Sequence, residues 1–349
     1  MNLKRIAKKL LRLTYILRRT NFSGATFKDS DTVLWMKIWG WSYFGEDDFA
    51  FSMGLLNALS TNGFKFNIRF TTKIGKFRNK KVYFAYSRGV DPFHFSNYTH
   101  SLHFICKQLE SQGCEVHPTS NEVLFWENKG YMTQRFFDLN VSTPKTFLIT
   151  SQQEFGKVDL PYPFLIKEEQ SFSSYGLHKI TKKEDMEDFL KKSVYFSKNK
   201  FLLVQELLDM RRDLRVILVG NKIVHHYWRI NNSAEWKPTA TSFGNSVDFG
   251  NFPEQWREFI IDQFRRLNLT TGAFDIAWRK DDLSTEPLIL EVSPNYQPNP
   301  TVDFSKMKLP YGEYKKKLLF RNSYERGFVD IVFAIVDEQI QYIQKDKQG

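Results

Sequence analysis

Leu3, Ile6, Leu10, Leu13 and Leu17 recur at steps of three or four residues and make one face of a helix over the first 20 residues. Between them stand Lys4, Arg5, Lys8, Lys9, Arg12, Arg18 and Arg19, with no acid in the segment. The same helical spacing predicts helices over residues 49–59, 97–112, 129–139 and 253–267. Ser96 is placed to cap the second of these, Gly113 to stop it, and Pro253 to open the last. Ser151 with Glu154, and Thr181 with Glu184, read as capping boxes. Short apolar or alternating runs bounded by turn residues predict strands over 81–86, 114–117, 164–167, 177–180 and 201–206. A hairpin over 214–229 turns at Gly220–Asn221, and two further strands around Ile276 and Ile289 flank a polar loop at 280–285. Strand–helix alternation over 31–120 argues for a parallel sheet.

Four charges break the apolar pattern of these strands. Asp275 and Glu291 sit in GAFDIAW and LILEVS; Arg215 and Arg229 sit in the two arms of the hairpin. A carboxylate in an apolar strand loses hydration and is kept there by a cation, a metal or a set of donors. An inward strand arginine needs an anion. Ordinary solvent-facing strand residues and surface salt bridges are the plainer alternatives for each taken singly.

Composition narrows the class. The chain has 349 residues, 42% hydrophobic and 16% aromatic, with 33 Phe. It has enough apolar mass for two or three packed subdomains and too much for a disordered chain. Cys106 and Cys114 are too few for a disulfide framework, so reduced thiols and a cytoplasmic setting are the expectation. No run of apolar residues is long enough to span a bilayer. The net charge of +11 favours an anionic partner. The basic first helix fits an anionic membrane surface on the inner face, a partner protein, or docking on the body of the chain. A transit peptide shares its composition, whereas a cleavable signal peptide fits poorly because charges interrupt the apolar run.

The order Lys129, Lys167, the QELL segment, the DLR hairpin, Asp275, Glu291 resembles the ATP-grasp superfamily over residues 121–300. The branch it resembles most holds glutamate-adding ribosomal-protein ligases, glutathione synthetases and D-alanine–D-alanine ligases. The resemblance implies an α/β (α+β) ATP-grasp fold with a preceding parallel α/β domain and the basic amphipathic helix in front. The divisions expected are 1–22 for that helix, 23–120 for the α/β domain, 121–200 for a small subdomain with a phosphate flap, 201–330 for a subdomain with the metal site, and 331–349 for a final helix.

Roles follow from the resemblance residue by residue. Lys129 is implied near the α-phosphate, and Lys167 at the phosphates and the adenine side. The loop 171–176, with Ser173, Ser174 and Gly176, stands where the flap folds over phosphates. Gln205, Glu206, Leu207 and Leu208 match the hinge strand, with backbone groups of Glu206 and Leu208 on the adenine edge; Asp213 falls near the ribose. Arg215 and Arg229 match the catalytic arginines facing the γ-phosphate or an acyl phosphate. Asp275 and Glu291 match the carboxylates that hold Mg²⁺, with Mn²⁺ an acceptable substitute. Two positions depart from the family pattern. Glu291-Val292-Ser293 replaces Glu-x-Asn, so either Ser293 or Asn295 supplies the remaining oxygen ligand. The flap carries the single glycine Gly176.

The function so implied is an ADP-forming ligase that joins a carboxylate to an amine (or a thiol). One version has a bacterial cell-surface glycan precursor as acceptor, decorated beside a membrane. Residues 293–300 are expected to shape the acceptor pocket, and His226, Trp228 and Trp236 are substrate-contact candidates, with core or rim packing the plainer role for each. A homodimer is compatible with the reading. An ATP-grasp small-molecule kinase or a nucleotide-binding protein without turnover is the alternative in the same fold. A basic nucleic-acid-binding protein is the alternative from another class, though no specific nucleic-acid motif is present.

Overall fold

A computed structural model describes residues 3–36, 47–70, 77–85, 95–170, 176–191, 196, 200–233, 235–294, 296–301, 311 and 323–345. In chain order the elements are α1 (Leu3–Arg19), β1 (Ala25–Thr26), β2 (Thr32–Met36), α2 (Asp47–Thr61), β3 (Phe66–Phe70), β4 (Lys81–Ala85), α3 (Phe95–Ser111), β5 (Glu115–His117), α4 (Ser120–Val123), α5 (Lys129–Asp138) and β6 (Thr146–Ile149). There follow β7 (Phe164–Glu168), β8 (Leu177–Ile180), α6 (Lys183–Lys191), β9 (Leu202–Glu206), β10 (Arg212–Val219), β11 (Lys222–Ile230), β12 (Ser246–Asp248), α7 (Arg257–Arg266), β13 (Thr271–Ala277), β14 (Leu288–Ser293) and α8 (Ser323–Lys345). The chain divides into two compact units: Met1–Val123 with Tyr296–Leu309 and Glu313–Gly349, and Leu124–Asn295 with Pro310–Gly312.

The first unit is built on a sheet of order β1-β3-β2-β4-β5, parallel at every pairing. All five residues of β2, TVLWM, are buried. A continuous apolar run of this kind belongs to a strand covered on both faces, as in parallel sheets. Val332, Phe333 and Val336 of α8 stand against Gly54 of α2. Both cysteines are free and buried, and burial pushes the Cys106 thiol up to about 12.

The second unit contains two antiparallel sheets. The smaller has order β6-β9-β7-β8, the larger β12-β11-β10-β13-β14. Alternation gives each sheet an apolar and a polar face. In the smaller, Phe164, Ile166, Leu202 and Val204 pack with Phe155 and Phe189 on one side. In the larger, Leu214, Val216, Trp228, Phe274, Ile276 and Val292 face Met132 and Phe136 of α5 and Ile260 and Phe264 of α7. Each of these large side chains stabilises the fold by about 1.5–3 kcal/mol on burial.

Several local expectations shift. The 253–267 helix starts as a 3-10 turn, Glu254–Trp256, before α7. Ser151 makes no side-chain cap; Glu154 instead accepts from the Thr150 amide at 2.7 Å, because the segment it heads, Gln152–Lys157, is a 3-10 helix. At α6 the shorter Asp185, not Glu184, accepts from the Thr181 amide at 2.9 Å, since the helix begins only at Lys183.

A methyl group at Gly272 would stand 2.9 Å from the Phe264 ring and 3.3 Å from Val292 Cγ2. Both neighbours are buried, so neither has room to retreat. Gly272→Ala is expected to lower stability by about 1–3 kcal/mol, read as a lower urea midpoint with an unchanged slope.

Candidate functional site

The polar face of the larger sheet carries a row of side chains set by strand register. Tyr227 of β11 pairs with Arg215 of β10, Arg215 with Asp275 of β13, and Asp275 with Glu291 of β14. Residues directly opposite on neighbouring strands project to the same side, so the four stand abreast. One row away Asp213 pairs with Arg229; on the other side Ser293 pairs with Ala273. Two carboxylates directly opposite repel each other and need cations close by.

Those cations are present. Arg215 donates to both oxygens of Asp275, Nε to Oδ1 at 2.7 Å and Nη2 to Oδ2 at 2.8 Å. Arg229 Nη2 reaches Asp275 Oδ2 at 2.8 Å and, with Nε, also grips Asp213. Thr239 adds a hydroxyl to Asp213 Oδ2 at 2.7 Å. Lys129 Nζ meets Glu291 Oε1 at 2.6 Å. Asp213, Arg229 and Asp275 are only 1%, 7% and 7% exposed, so their charges are held by one another rather than by water. Burial alone would raise the Asp275 carboxyl; Arg215, then Arg229, outweigh it and hold its pKa well below the usual carboxylate range.

Lys167 projects from β7 on the face away from the apolar cluster and donates to Gln205 Oε1 of β9 at 2.6 Å. Gln205 is fixed in turn by Thr146 at 2.9 Å. Burial first, then the charge of Lys129, lowers the Lys167 pKa to about 8, while Glu291 and Asp275 act the other way. All three therefore lie close enough to Lys167 to bear on its charge. Lys129 is set by the start of α5: Asn128 caps the Tyr131 amide at 3.0 Å, and the Lys129 amide donates to the Glu169 carbonyl at 2.8 Å.

The strand β9 leads into the 207–211 connection, which the β13–β14 loop props. Arg279 grips Glu206 with two bonds, 2.7 and 2.6 Å. The Lys280 amide donates to the Asp209 carbonyl at 2.6 Å, and Asp281 accepts from the Arg211 amide at 3.0 Å. The Glu206 amide donates to the Lys145 carbonyl at 3.0 Å, so it is not free to read a base edge.

The structure thus brings together Lys129, Lys167, Gln205, Arg215, Arg229, Asp275 and Glu291. Ser293 stands on the same face as Glu291, two positions along β14. Gly176 closes the β7–β8 hairpin with φ at +69°, its carbonyl accepting from the Glu168 amide at 2.8 Å. Ser173, Ser174 and Asn295 lie outside the described residues. Asp213 departs from the ribose role: its carboxylate is enclosed and turned into Arg229 and Thr239, where it holds the arginine in place. Trp228 packs in the core beside Trp278, and His226, on the same apolar face, meets Phe252; neither reaches the polar face. Trp236 lies at the rim under the Lys179 ammonium. Sequence reasoning passed over Tyr227, Thr239 and Arg279. Tyr227 looks like one more core aromatic, and only its register beside Arg215 reveals its place.

Four cations (Lys129, Lys167, Arg215, Arg229) against three carboxylates (Asp213, Asp275, Glu291) leave the cluster one positive charge in excess. That balance suits a polyanion. No group of three or more His, Cys, Asp or Glu among the described residues is arranged to hold a metal by itself. Both oxygens of Asp275 are already taken by Arg215 and Arg229, so Glu291 is the carboxylate of the row open to a Mg²⁺ that arrives with phosphate oxygens, an ion commonly bound by one or two carboxylates plus substrate phosphates. Glu291 is the accessible member, with its side chain 31% exposed.

A family model for the RimK-like ATP-grasp domain matches residues 127–307. No curated protein matches the chain. Among solved structures, a RimK domain ATP-grasp protein from Sphaerobacter thermophilus is similar at TM-score 0.55 and 12% identity, covering 88% of this chain and 98% of its own. D-alanine–D-alanine ligase from Bacillus anthracis is similar at TM-score 0.51 and 11% identity, over 90% of this chain and 99% of its own. The ATP-grasp ligase PsnB, complexed with its minimal precursor, Mg and ADP, is similar at TM-score 0.51 and 12% identity, over 90% and 99%. At these identities the likeness shows the fold.

Two outcomes follow from the cluster. Asp213→Leu strips Arg229 of its most buried partner and is expected to destabilise the protein by about 3 kcal/mol in urea titrations. The Lys167 pKa of about 8 lies below the ordinary 10.5, so between these values the unfolded chain holds a proton the folded chain lacks. Stability therefore gains a rising component across that pH window, and the penalty of the buried charge is fully present below it. Lys167→Met removes this component, so the native-minus-variant stability difference should rise between about pH 8 and about pH 10.

Proposed function

The chain belongs to the RimK-like ATP-grasp family, and on that footing we propose that it is an ADP-forming ligase that activates a carboxylate as an acyl phosphate and joins it to an amine. The observation that carries the proposal is the single row Arg215–Asp275–Glu291, with Lys129 bonded to Glu291 and, through its amide, to the Glu169 carbonyl just past strand β7, on which Lys167 is held by Gln205. Transfer of a phosphoryl group spreads negative charge over oxygens, and catalysis there is mostly positioning and charge stabilisation. Arg215 and Arg229 are prearranged for that charge by Asp275 and Asp213, which fix both guanidinium planes before substrate arrives. Lys129 and Lys167 supply point charges for the remaining phosphates. The hinge after β9 presents backbone groups to the base, and the β13–β14 loop holds it still. Mg²⁺ would be held by Glu291, with Asp275 and Ser293 or Asn295 beside it, and would neutralise phosphate oxygens.

No side-chain nucleophile is required by this chemistry. The acceptor amine attacks the acyl carbon, an amide bond forms, and inorganic phosphate leaves. A carboxylate partner and an amine partner are therefore both needed for turnover. The chain's basic character favours anionic substrates, a surface-glycan precursor among them.

Thermal shift with Mg–ATP tests the nucleotide site. The native protein should be stabilised, and Lys167→Ala and Glu291→Ala should each lose most of that shift. A native protein indifferent to Mg–ATP would sink the proposal. ADP release should then require both partners in a panel of carboxylates with amino-acid and amino-sugar acceptors. ADP formed without an amine, together with a phosphorylated product, would instead assign a kinase.

A further inference from the structure

The first helix is docked the unexpected way round. Two of its arginines, Arg12 and Arg19, are turned to the rest of the first unit. Arg12 meets Asp47 at 2.6 Å and Glu325 at 3.2 Å, with its guanidinium 5.0 Å from the Phe328 ring centre. Arg19 meets Asp330 at 3.0 Å, and the Tyr15 hydroxyl donates to the same carboxylate at 2.9 Å. Ile16, on this side, is fully buried. The leucine stripe points elsewhere: Leu10 and Leu17 are 45% and 41% exposed, with Leu13 half-buried between them. Thr14 and Arg18 beside the stripe are exposed, as is Phe22 just past the helix end.

An amphipathic helix normally spends its apolar face on the fold it belongs to. Here ion pairs hold the helix, and the aliphatic face is left to solvent. The sequence continues the same spacing at Leu3 and Ile6, and residues 1–20 contain no acid. We propose that this face binds an anionic lipid surface, the leucines entering the headgroup boundary and the flanking cations meeting lipid phosphates. Charge decides among occupants. A second copy would bring two acid-free basic helices together, which repel. Nucleic acid would meet the cations but leave the leucines exposed. A lipid surface with negative headgroups takes up the exposed leucines and the exposed Arg18 beside them. No helix among the described residues is long and apolar enough to cross a bilayer, so the contact is one of lying on the surface.

Co-sedimentation of the full chain with phosphatidylcholine vesicles, with and without phosphatidylglycerol, tests this. The native protein should sediment with the anionic vesicles and stay in solution with the neutral ones, and raised salt should release it. Leu10→Glu combined with Leu17→Glu should weaken binding by about tenfold or more. Its Mg–ATP thermal shift and melting midpoint should be unchanged, because both positions are exposed. Arg18→Glu, which leaves the stripe intact, should weaken binding severalfold. The proposal is overturned if the native chain ignores anionic vesicles, binds neutral ones equally well, or keeps its affinity in the double-glutamate variant. It is equally overturned if, without lipid, the native chain is a dimer that the double variant dissolves, since the face would then be a self-interface. These outcomes do not depend on whether the chain is a ligase.

Discussion

The carboxylate of Asp275, held below the sheet surface by Arg215 and Arg229, is the contact on which the site depends. Three strands supply the three residues, and the geometry exists only in one register. A slip of one residue along β13 would put Phe274 among the arginines and the acid in the core. The network is not an efficient source of stability, since desolvating such charges costs as much as their attraction returns. Its effect is to hold two guanidinium groups in fixed planes, with Asp213 and Thr239 closing the far end.

The same strands that build this cluster also build the core. Leu214, Val216, Phe274 and Val292 alternate with Asp213, Arg215, Asp275 and Glu291, so every site residue has an apolar neighbour anchoring its strand from behind. Packing against α5 and α7 therefore sets the height of the polar row. Lys129 ties the two functions more directly: α5 buries Met132 and Phe136 on the sheet while its first residue reaches Glu291.

Much of this was legible from residue order alone. Asp275, Glu291, Arg215 and Arg229 stand out because charge interrupts apolar strands, and their order resembles a known superfamily. The parallel sheet of the first unit was legible from alternation. What escaped depends on partners distant in sequence. Asp213 next to Arg215 looks as exposed as any hairpin acid until β11 delivers Arg229 and a later segment delivers Thr239. Tyr227 is indistinguishable from its core neighbour Trp228 until the strand face is known. The capping residues slipped by one position because a 3-10 turn and a late helix start change which side chain reaches the free amide. The stripe on α1 was visible, but which side of the helix the fold would use was not. That choice lies with Asp47, Glu325 and Asp330, whose placement beside α1 is a tertiary fact.

The β13–β14 loop, polar and exposed in sequence, is a spacer of fixed length. Its ends carry Asp275 and Glu291 on the flanking strands, and its turn, with Lys280 and Asp281 at φ of +55° and +54°, grips the segment after β9. A ligand lying between hinge and carboxylates would be measured against that hairpin as against a ruler. The turn of one sheet thus fixes where the chain leaves the other, and the spacing between them is set by residues 279–281.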